Sequence, residues 1–254
     1  MRLLTYNIHK GIGGGDRRYR LSRVIDVIEQ QHPDCVCLQE VTFDLPRTRY
    51  HDQSHVLANH FAPMHSFFQP NVKWKRGGYG NLVLSRWPIQ IEHRVSLQFQ
   101  NRKPRGAQVV VLETPRGHLR LVNWHLGLSE EERQWQVTHL LKHPSFRELH
   151  HLPTLIAGDF NDWRNTLGAQ SLAEHGLAQA TSPPSRFRSF PAMLSVMSLD
   201  KAFHCPEVVV HSAKVIRTAL ARQASDHLPL VLDFDLSHHR EHHAQESSPH
   251  VTQH

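Results

Sequence analysis

Leu155-Ile156-Ala157-Gly158-Asp159-Phe160-Asn161 is the stretch that decides the fold, an apolar run that stops at a carboxylate, with an amide two residues later. A short, continuous apolar run of this kind indicates a strand that is buried on both faces. We expect the strand to extend from Leu152 to Gly158 and to end at Asp159. Such a strand delivers a charged side chain to the edge of a sheet.

The same arrangement, an apolar run followed by a polar side chain, recurs along the chain. The polar groups at these strand ends are Asn7, Glu40, His125, Asp159, Asn161, Asp200, Asp226 and His227. Any one of them has an ordinary explanation, because Asp and Asn are common in turns. Neighbouring strand ends in a layered sheet share one rim, however, so the set as a whole is expected to converge on one pocket.

The remaining elements point to two sheets with few helices. Strands are predicted over residues 3–8, 34–41, 80–86, 106–114, 118–125, 199–204, 208–216 and 228–234. A helix is predicted over Arg20–Gln31 from its apolar period, and Ser129-Glu130-Glu131-Glu132 matches a capping box that opens another helix. The glycine-rich residues 11–15 lack the Gly-Lys-Ser/Thr ending of a phosphate-binding loop and are expected to be flexible. Consecutive strands with few helices favour a mixed α/β layered sandwich.

The donors at the predicted rim define its chemistry. Four carboxylates, two amides and two imidazoles are present, without a cysteine. Hard oxygen ligands suit Mg²⁺ or Mn²⁺ better than structural zinc. A metal held by Asn7 and Glu40 would neutralise the non-bridging oxygens of a phosphoester. We therefore expect a metal-dependent phosphoesterase.

Two imidazoles of the set have predicted roles in proton transfer. Asp200 behind His227 would fix the tautomer and stabilise the imidazolium, so that His227 activates a water molecule. His125 would either stabilise the phosphoryl oxygens or protonate the leaving group. A rival assignment makes Asp159 the base and leaves His227 to hold the phosphate.

Seven short motifs, in a fixed order between about residues 2 and 236, carry a resemblance to a known family. The motifs are Thr5-Tyr6-Asn7-Ile8-His9, Leu38-Gln39-Glu40-Val41, Gly80-Asn81-Leu82-Val83-Leu84-Ser85-Arg86, Asn123-Trp124-His125-Leu126, Ala157-Gly158-Asp159-Phe160-Asn161, Leu199-Asp200-Lys201 and Ser225-Asp226-His227. In this order they resemble the endonuclease/exonuclease/phosphatase superfamily. That superfamily includes pancreatic-type deoxyribonuclease, abasic-site endonucleases, inositol-polyphosphate 5-phosphatases and bacterial sphingomyelinases. The likeness is greatest to small bacterial cytoplasmic members.

The resemblance implies an α/β fold, a four-layer α/β/β/α sandwich of two packed mixed β-sheets flanked by helices, which is DNase I-like. It implies that Asn7 and Glu40 hold the main Mg²⁺, and that Asp226 joins a second metal site if there is one. Asp159 and Asn161 would contact the attacked phosphate or the nucleophilic water. The resemblance further implies that Asn81 supports His125 and that Arg105 contacts the phosphate, although a solvated loop arginine is as good an explanation of Arg105.

The substrate is left open between several phosphoesters. Our first choice is a Mg²⁺-dependent phosphodiesterase that is nuclease-like, with Mn²⁺ able to substitute for Mg²⁺. The alternatives are a phosphomonoesterase, a phospholipid or inositol headgroup phosphoesterase with Trp74 and Trp87 near the interface, and a non-catalytic binding module. The intact set of polar residues counts against the last of these. Basic and aromatic residues alternate in the loops expected to select the substrate, which are residues 17–20, 73–76, 102–105 and 186–188.

Composition limits the setting in which the chain works. Lys plus Arg number 29 against 23 for Asp plus Glu, and the pI of about 9.5 favours anionic partners such as nucleic acid or phospholipid, or serves solubility alone. Three cysteines without regular spacing do not make a disulfide framework, so reduced thiols and a cytoplasmic location are expected. The amino terminus becomes polar too soon for a signal peptide, no transmembrane segment is present, and we expect a monomer.

The chain is expected to divide into one catalytic domain and a tail. Residues 1–236 contain every motif, whereas residues 237–254 are polar, hold six histidines and show no apolar periodicity. We expect this segment to be a disordered His-rich tail. It would either collect metal ions weakly or have no function.

Overall fold

Two mixed β-sheets of six strands form the centre of the computed structural model, which describes residues 1–169 and 171–237. The strands are β1 (Arg2–Asn7), β2 (Cys35–Phe43), β3 (His65–Lys73), β4 (Gly78–Ser85), β5 (Ile89–Ser96), β6 (Gly106–Thr114), β7 (Gly117–His125), β8 (Thr154–Asp159), β9 (Ala178–Gln179), β10 (Asp200–His204), β11 (Val208–Val215) and β12 (Leu230–Leu236). The helices are α1 (Leu21–Glu29), α2 (Gln53–His60), α3 (Glu130–Lys142), α4 (Pro144–Arg147), α5 (Thr166–Ala169) and α6 (Ala219–Ala224).

Each sheet has one parallel pair at its centre. The first sheet has the order β11-β12-β1-β2-β4-β3, and the second has the order β5-β6-β7-β8-β10-β9. The pairs β1–β2 and β7–β8 are parallel, and the other pairs are antiparallel. Parallel neighbours end at the same edge of a sheet. The carboxyl ends of these four strands therefore carry their polar residues to common edges.

The second sheet is buried on both faces, which explains the uninterrupted apolar run that decides the fold. Leu155 belongs to the core shared with the first sheet, and the next residue, Ile156, belongs to the core that α3 covers. In β7, Leu121 likewise belongs to the shared core, and Val122 belongs to the core that α3 covers. Successive side chains of a strand point to opposite faces, so both must be apolar. With α1 packed against α6, the fold is the predicted sandwich of two sheets flanked by helices, and that prediction is confirmed.

A network of buried amides ties the two sheets together beneath the strand ends. Asn123 of the second sheet donates to the carbonyls of Leu38 and Leu82 in the first, at 3.1 and 3.2 Å. Gln39 donates in turn to Asn123 Oδ1 at 2.8 Å, and Asn123 donates to Gln108 Oε1 at 2.9 Å. Buried polar groups that satisfy one another in this way fix the relative position of the layers. The network thus sets how the two strand-end rims face each other.

The structure confirms the apolar strands and adds elements that were not predicted. Strands β3 and β5 were missed because both lie at the edge of a sheet and carry many polar, exposed residues instead of an apolar run. Helix α2 was also missed. The lipid alternative placed Trp87 near the interface together with Trp74, but Trp87 is only 9% exposed and packs in the core, so that placement is wrong for Trp87.

Two further expectations concerned a membrane-spanning segment and the histidine-rich tail. Among the described residues, no helix is long and apolar enough to cross a membrane. Residues 238–254, which hold the histidines of the predicted tail, lie outside the described part of the chain.

Candidate active site

Most of the predicted strand-end residues meet where the two sheets face each other. His125 ends β7, and in register it lies beside Asp159 at the end of β8, which in turn pairs with Asp200 at the start of β10. Asn7 ends β1 in the opposite sheet and donates through Nδ2 to Asp159 Oδ2 at 2.9 Å. The four side chains are almost fully buried. We call this edge of the two sheets the site edge.

His227 and Asp200 form a hydrogen-bonded pair, as the sequence predicts. His227 Nδ1 lies 2.9 Å from Asp200 Oδ2, and Ser189 Oγ donates to the same oxygen at 2.5 Å. Ser225 Oγ accepts from the backbone N–H of His227 at 3.2 Å and donates to the carbonyl of Asn7 at 2.8 Å. The two serines, which the sequence reasoning did not single out, therefore fix both members of the pair.

Asp159 lies between two imidazoles. Its Oδ2 is 3.4 Å from His125 Nε2 and 3.7 Å from His227 Nε2. Its Oδ1 accepts from the backbone N–H of Asn161 at 3.0 Å. The Asn161 side chain does not point at the carboxylate but donates to the carbonyl of Leu126 at 2.9 Å. Asn161 thus shapes the turn after β8 through a left-handed backbone with φ of 50°.

Burial and neighbouring charges set the protonation of these groups. Burial raises the pKa of Asp159 to about 6, against the opposing pull of the His227 charge. Burial disfavours the charged form of His227, but the carboxylates of Asp200 and Asp159 outweigh it and raise the His227 pKa to about 10. Burial and the nearby Arg105 hold the pKa of His125 well below its ordinary value. At neutral pH the site therefore contains an anionic Asp159, a cationic His227 and a neutral His125.

Glu40 reaches the site from a distorted part of β2. The register of β2 against β4 shifts between Leu38 and Val41, and Glu40 has a φ of 58°. Its carboxylate forms an ion pair with Lys10, which also has a left-handed backbone. Burial favours the neutral acid, but Lys10 and His125 outweigh it and hold the Glu40 pKa well below its usual range. Strained backbone next to a bulge is a common way to aim a functional side chain.

A cluster of cations lies beside this carboxylate. Arg105 is 6% exposed, and its Nε is buried without a hydrogen-bond partner among the described residues. The ammonium groups of Lys10 and Lys103 each lie 5.1 Å from the centre of the Tyr79 ring, whose buried hydroxyl also lacks a partner there. We call Lys10, Lys103 and Arg105 the cation cluster. A buried guanidinium without an anion is costly unless a ligand supplies one.

Two further predicted residues border the site. Asn81 was expected to support His125, but its Nδ2 donates to the carbonyl of Gly106 at 3.0 Å, and its Oδ1 has no partner among the described residues. Gly106 pairs in register with His125, so any support by Asn81 acts through the backbone. Asp226 is partly exposed, and its Oδ1 lies 3.6 Å from His9 Nδ1. Asp226 is therefore placed at the outer margin of the pocket.

The donors of the site fit a hard divalent cation. The ligand atoms of Asp159, Asp200 and His227 all lie within 4.8 Å of one another, whereas Glu40 and Asp226 do not belong to this group. Apart from the imidazoles, the donors of the site are carboxylate and amide oxygens, which suit Mg²⁺ and Mn²⁺. Asn7 Oδ1 accepts from the backbone N–H of His9 at 3.0 Å. A cation beside Glu40 would compete with the Lys10 ammonium for the same carboxylate.

One buried lysine organises the turn that follows β8. Lys201 is fully buried, and its Nζ donates to Asp162 Oδ2 at 3.1 Å and to Asn165 Oδ1 at 2.7 Å. The sequence reasoning quoted Lys201 within a motif without giving it a role. Lys10 and Tyr79 were not identified as site residues, and Lys103 was named only within the loop of residues 102–105, because their convergence depends on long-range contacts.

Comparisons with known proteins show which sequences and folds the chain is similar to. The YbhP protein of Escherichia coli (strain K12) is 31% identical over 259 residues, which cover 92% of this chain and 96% of YbhP. The crystal structure of an endonuclease/exonuclease/phosphatase from Beutenbergia cavernae DSM 12333 is similar with a TM-score of 0.80 and 25% identity, over 93% of this chain and 71% of that one.

A second solved structure supports the fold alone. The mannosyl-6-phosphatase Bt3783 of Bacteroides thetaiotaomicron VPI-5482 is similar with a TM-score of 0.73 at 16% identity, over 93% of this chain and 100% of that one. The model of the endonuclease/exonuclease/phosphatase family matches residues 4–227, a range that contains all the candidate site residues. Members of this superfamily are phosphoester hydrolases, and the expected resemblance is confirmed. The chain belongs to the endonuclease/exonuclease/phosphatase family.

Proposed function

We propose that the chain is a Mg²⁺-dependent phosphodiesterase, with Mn²⁺ able to replace Mg²⁺. The observation that carries this proposal is the buried Asp159 carboxylate held between two imidazoles, with Asp200 behind one of them. Such a group has an acceptor and a donor of protons within one pocket, which the hydrolysis of a P–O bond needs. The shifted pKa values of Asp159 and His227 support the same conclusion, because perturbed groups cluster at functional sites.

The protonation states favour Asp159 as the base. Water attacks phosphorus while its proton passes to the Asp159 carboxylate, and the P–O bond to the leaving group breaks. His227 is cationic, so it keeps its Nδ1 proton in the hydrogen bond to Asp200 and transfers its Nε2 proton to the leaving oxygen, which leaves His227 neutral. We had expected His227 to be the base, and its pKa of about 10 instead supports the rival assignment.

A divalent cation has a defined place in this proposal. Glu40 and Asn7 would hold the main cation, and Asp226 would belong to a second cation site if there is one. Bound there, the cation neutralises charge on the non-bridging phosphate oxygens and adds positive charge that lowers the pKa of its neighbours. The oxygen-rich donor set is the support for Mg²⁺ or Mn²⁺.

Phosphomonoester hydrolysis is a second candidate, because the cation cluster carries more positive charge than Glu40 neutralises. Arg105 forms no ion pair with a carboxylate among the described residues, and burial and Arg105 lower the pKa of Lys103. Surplus positive charge suits the dianion of a phosphomonoester as well as the monoanion of a diester. Nucleic acid, our first choice from the sequence, and phospholipid are both phosphodiesters, so the same proton transfers serve either substrate.

Two small substrates separate these candidates. Bis(p-nitrophenyl) phosphate is a diester and p-nitrophenyl phosphate is a monoester with the same leaving group. We expect Mg²⁺-dependent hydrolysis of the diester at the higher kcat/KM, complete loss of activity in EDTA, and no activity in Asp159→Asn. Faster hydrolysis of the monoester would favour the second candidate. Activity that persists in Asp159→Asn would contradict the assignment of the site.

We also propose that the protein is a cytoplasmic monomer. The unpaired thiols of Cys35, Cys37 and Cys205 support a reducing location. Cell fractionation and light scattering of the purified protein test the two statements, and a periplasmic fraction or a dimer mass would contradict them.

A further inference from the structure

Exposed apolar side chains gather on the loops around the site. Ten large hydrophobic residues are exposed among the described residues, and six of them lie on loops of the site edge. We call these six residues the apolar rim: Trp74, Leu128, Trp163, Met193, Leu194 and Val196. Single exposed hydrophobics are normal on a protein surface, but a concentration around one pocket indicates an interaction site.

Strand pairing places the rim at the site edge. Trp74 lies in the turn between β3 and β4, where Gly78 pairs with Phe43, three residues beyond Glu40. Leu128 follows His125 by three residues, and Trp163 follows Asp159 by four. The loop of residues 190–197 leads into Asp200. The rim residues therefore lie on three groups of loops that adjoin the strand ends of the site.

The loop that carries three of the rim residues is firmly built. The N–H groups of Leu194 and Val196 donate to the carbonyls of Pro191 and Phe190 at 3.0 and 2.9 Å. Arg222 donates to the carbonyl of Met193 at 3.2 Å. The Phe190 ring lies 4.8 Å from the ring of His227. Leu194, at 74% exposure, is thus presented to solvent by an ordered loop that contacts the catalytic pair.

The other two groups of rim loops are also fixed by site residues. Arg133 is fully buried, donates to the carbonyl of Leu128 at 2.6 Å and lies 5.1 Å from the centre of the Trp163 ring. The Trp74 ring lies 5.7 Å from that of Tyr79, which contacts the cation cluster. The rim is thus part of the architecture of the pocket.

Basic residues accompany the apolar ones. Lys73 and Lys75 flank Trp74, both are exposed, and neither forms an ion pair with the described residues. Arg102 precedes Lys103 of the cation cluster, whereas Arg164, which follows Trp163, lies 3.8 Å from Glu130 in an exposed ion pair. The chain as a whole carries a net charge of +6. The surface around the pocket therefore complements an anionic partner.

The aliphatic members of the rim distinguish between two anionic partners. Tryptophan and basic residues would serve either nucleic acid, by stacking on bases, or a membrane interface. Leu128, Met193, Leu194 and Val196 have no ring with which to stack on a base. Insertion of these side chains among acyl chains would lower the free energy by burying apolar surface, while the basic side chains remain at the level of the headgroups.

We propose that the apolar rim docks the site edge on an anionic phospholipid surface, and that the substrate is a headgroup phosphodiester presented by that surface. The docking depends only on the apolar rim and its basic neighbours, whereas the identity of the substrate rests on the proposed function. In the bound state, the headgroup phosphate enters between the cation cluster and Asp159, and hydrolysis follows the proton transfers given above.

Binding is tested with vesicles in EDTA, where hydrolysis is absent. The full chain is sedimented with phosphatidylcholine vesicles, with and without phosphatidylglycerol. We expect binding to the anionic vesicles, and about tenfold weaker binding for Met193→Ser combined with Leu194→Ser. Val209→Ser is the matched control, because Val209 is 43% exposed but lies at the opposite end of the first sheet. The control should bind like wild type, and thermal unfolding shows whether each variant is folded.

Three results would overturn the docking proposal. They are no binding of wild type to either kind of vesicle, equal weakening by Val209→Ser, and rim variants that weaken binding to single-stranded DNA but not to vesicles. The last result would assign the rim to nucleic acid.

Turnover tests the substrate separately. With Mg²⁺, the rate on phosphatidylglycerol vesicles divided by the rate on bis(p-nitrophenyl) phosphate should fall about tenfold in the rim variant. An unchanged ratio would overturn the lipid substrate. Vesicle binding as expected, without hydrolysis of any phosphoester, would support the docking and contradict the proposed function, so the two failures are distinguishable.

Discussion

At the scale of single residues, the surroundings of Asp159 are the basis for proposing that it receives the proton of water. Two imidazoles lie within 3.7 Å of its Oδ2, and burial raises its pKa to about 6. A carboxylate with a raised pKa is a stronger base than an ordinary one and is still ionised at neutral pH. His227, with a pKa of about 10, is instead suited to donate a proton.

The pH dependence of the rate follows from these two values. We expect kcat/KM to rise with pH through the pKa of Asp159, which must be deprotonated, and to fall at high pH as His227 loses its proton. Bound Mg²⁺ favours the deprotonated form of each group. The midpoint of the acidic limb should therefore lie below the Asp159 pKa of about 6, and that of the alkaline limb below the His227 pKa of about 10.

A variant identifies which group produces which limb. His227→Gln should lower kcat by roughly 10²–10⁴ and remove the alkaline limb while the acidic limb persists. The measurement is a single-turnover pH profile of both proteins with bis(p-nitrophenyl) phosphate. A wild-type acidic limb that disappears in His227→Gln would show that His227 is the base after all.

The Lys10–Glu40 ion pair gives a prediction about metal affinity. Because Lys10 neutralises the carboxylate expected to hold the cation, Lys10→Met should strengthen Mn²⁺ binding, and Glu40→Gln should weaken it by about tenfold or more. Calorimetric titration measures both, and the thermal midpoint in Mn²⁺ and in EDTA gives an independent readout through binding-linked stability. Equal affinity in the two variants would show that the cation binds elsewhere.

At the scale of elements, the turn after β8 depends on one buried ion pair. Lys201 and Asp162 are both fully buried, and burial lowers the pKa of Lys201 while Asp162 opposes this. Asp162 Oδ2 also accepts from the backbone N–H of Leu167 at 3.2 Å. Removing one partner of such a pair leaves the other charge buried and uncompensated.

Lys201→Met should therefore lower the free energy of unfolding by about 3–5 kcal/mol. Lys142→Met, at an exposed position of α3, is the control and should change it by less than about 0.5 kcal/mol. Urea denaturation followed by circular dichroism measures both. A small effect of Lys201→Met would mean that water or another group compensates Asp162.

What the sequence predicts about the elements depends on how deeply each is buried. Strands such as β6 and β7 were found at nearly their observed bounds, because β6 contains an apolar run and β7 alternates apolar with polar residues. Strands β3 and β5 are half exposed at sheet edges, and β3 contains Pro70, so their sequences resemble loops. A strand that is buried on two faces needs apolar side chains, which the sequence shows. An edge strand is held mainly by backbone hydrogen bonds, which do not depend on the side chains.

At the scale of the whole molecule, some features of the site follow from where the strands end, and others depend on long-range contacts. The strand ends predicted that Asn7, Asp159 and the two imidazoles converge, because every strand must end at one of two edges. They did not predict that the Asn161 side chain donates to the carbonyl of Leu126 or that Asp226 lies at the margin of the site. The approach of Lys10 to Glu40 was not predictable, since it depends on two left-handed backbone positions thirty residues apart. The proton-transfer roles also needed the structure, because a pKa reflects burial and distance, which one sequence does not contain.

The division between residues 1–237 and the histidine-rich remainder gives the last prediction. The family match ends at residue 227 and includes Asn7, Glu40, Asp159 and His227, so no candidate site residue lies beyond it. A chain truncated after Ser237 should keep Mg²⁺-dependent turnover of bis(p-nitrophenyl) phosphate and its thermal midpoint. It should lose weak binding of Zn²⁺, because six histidines are removed. A truncated chain that unfolds at the same temperature but loses most of its turnover would show that the tail contributes to the site.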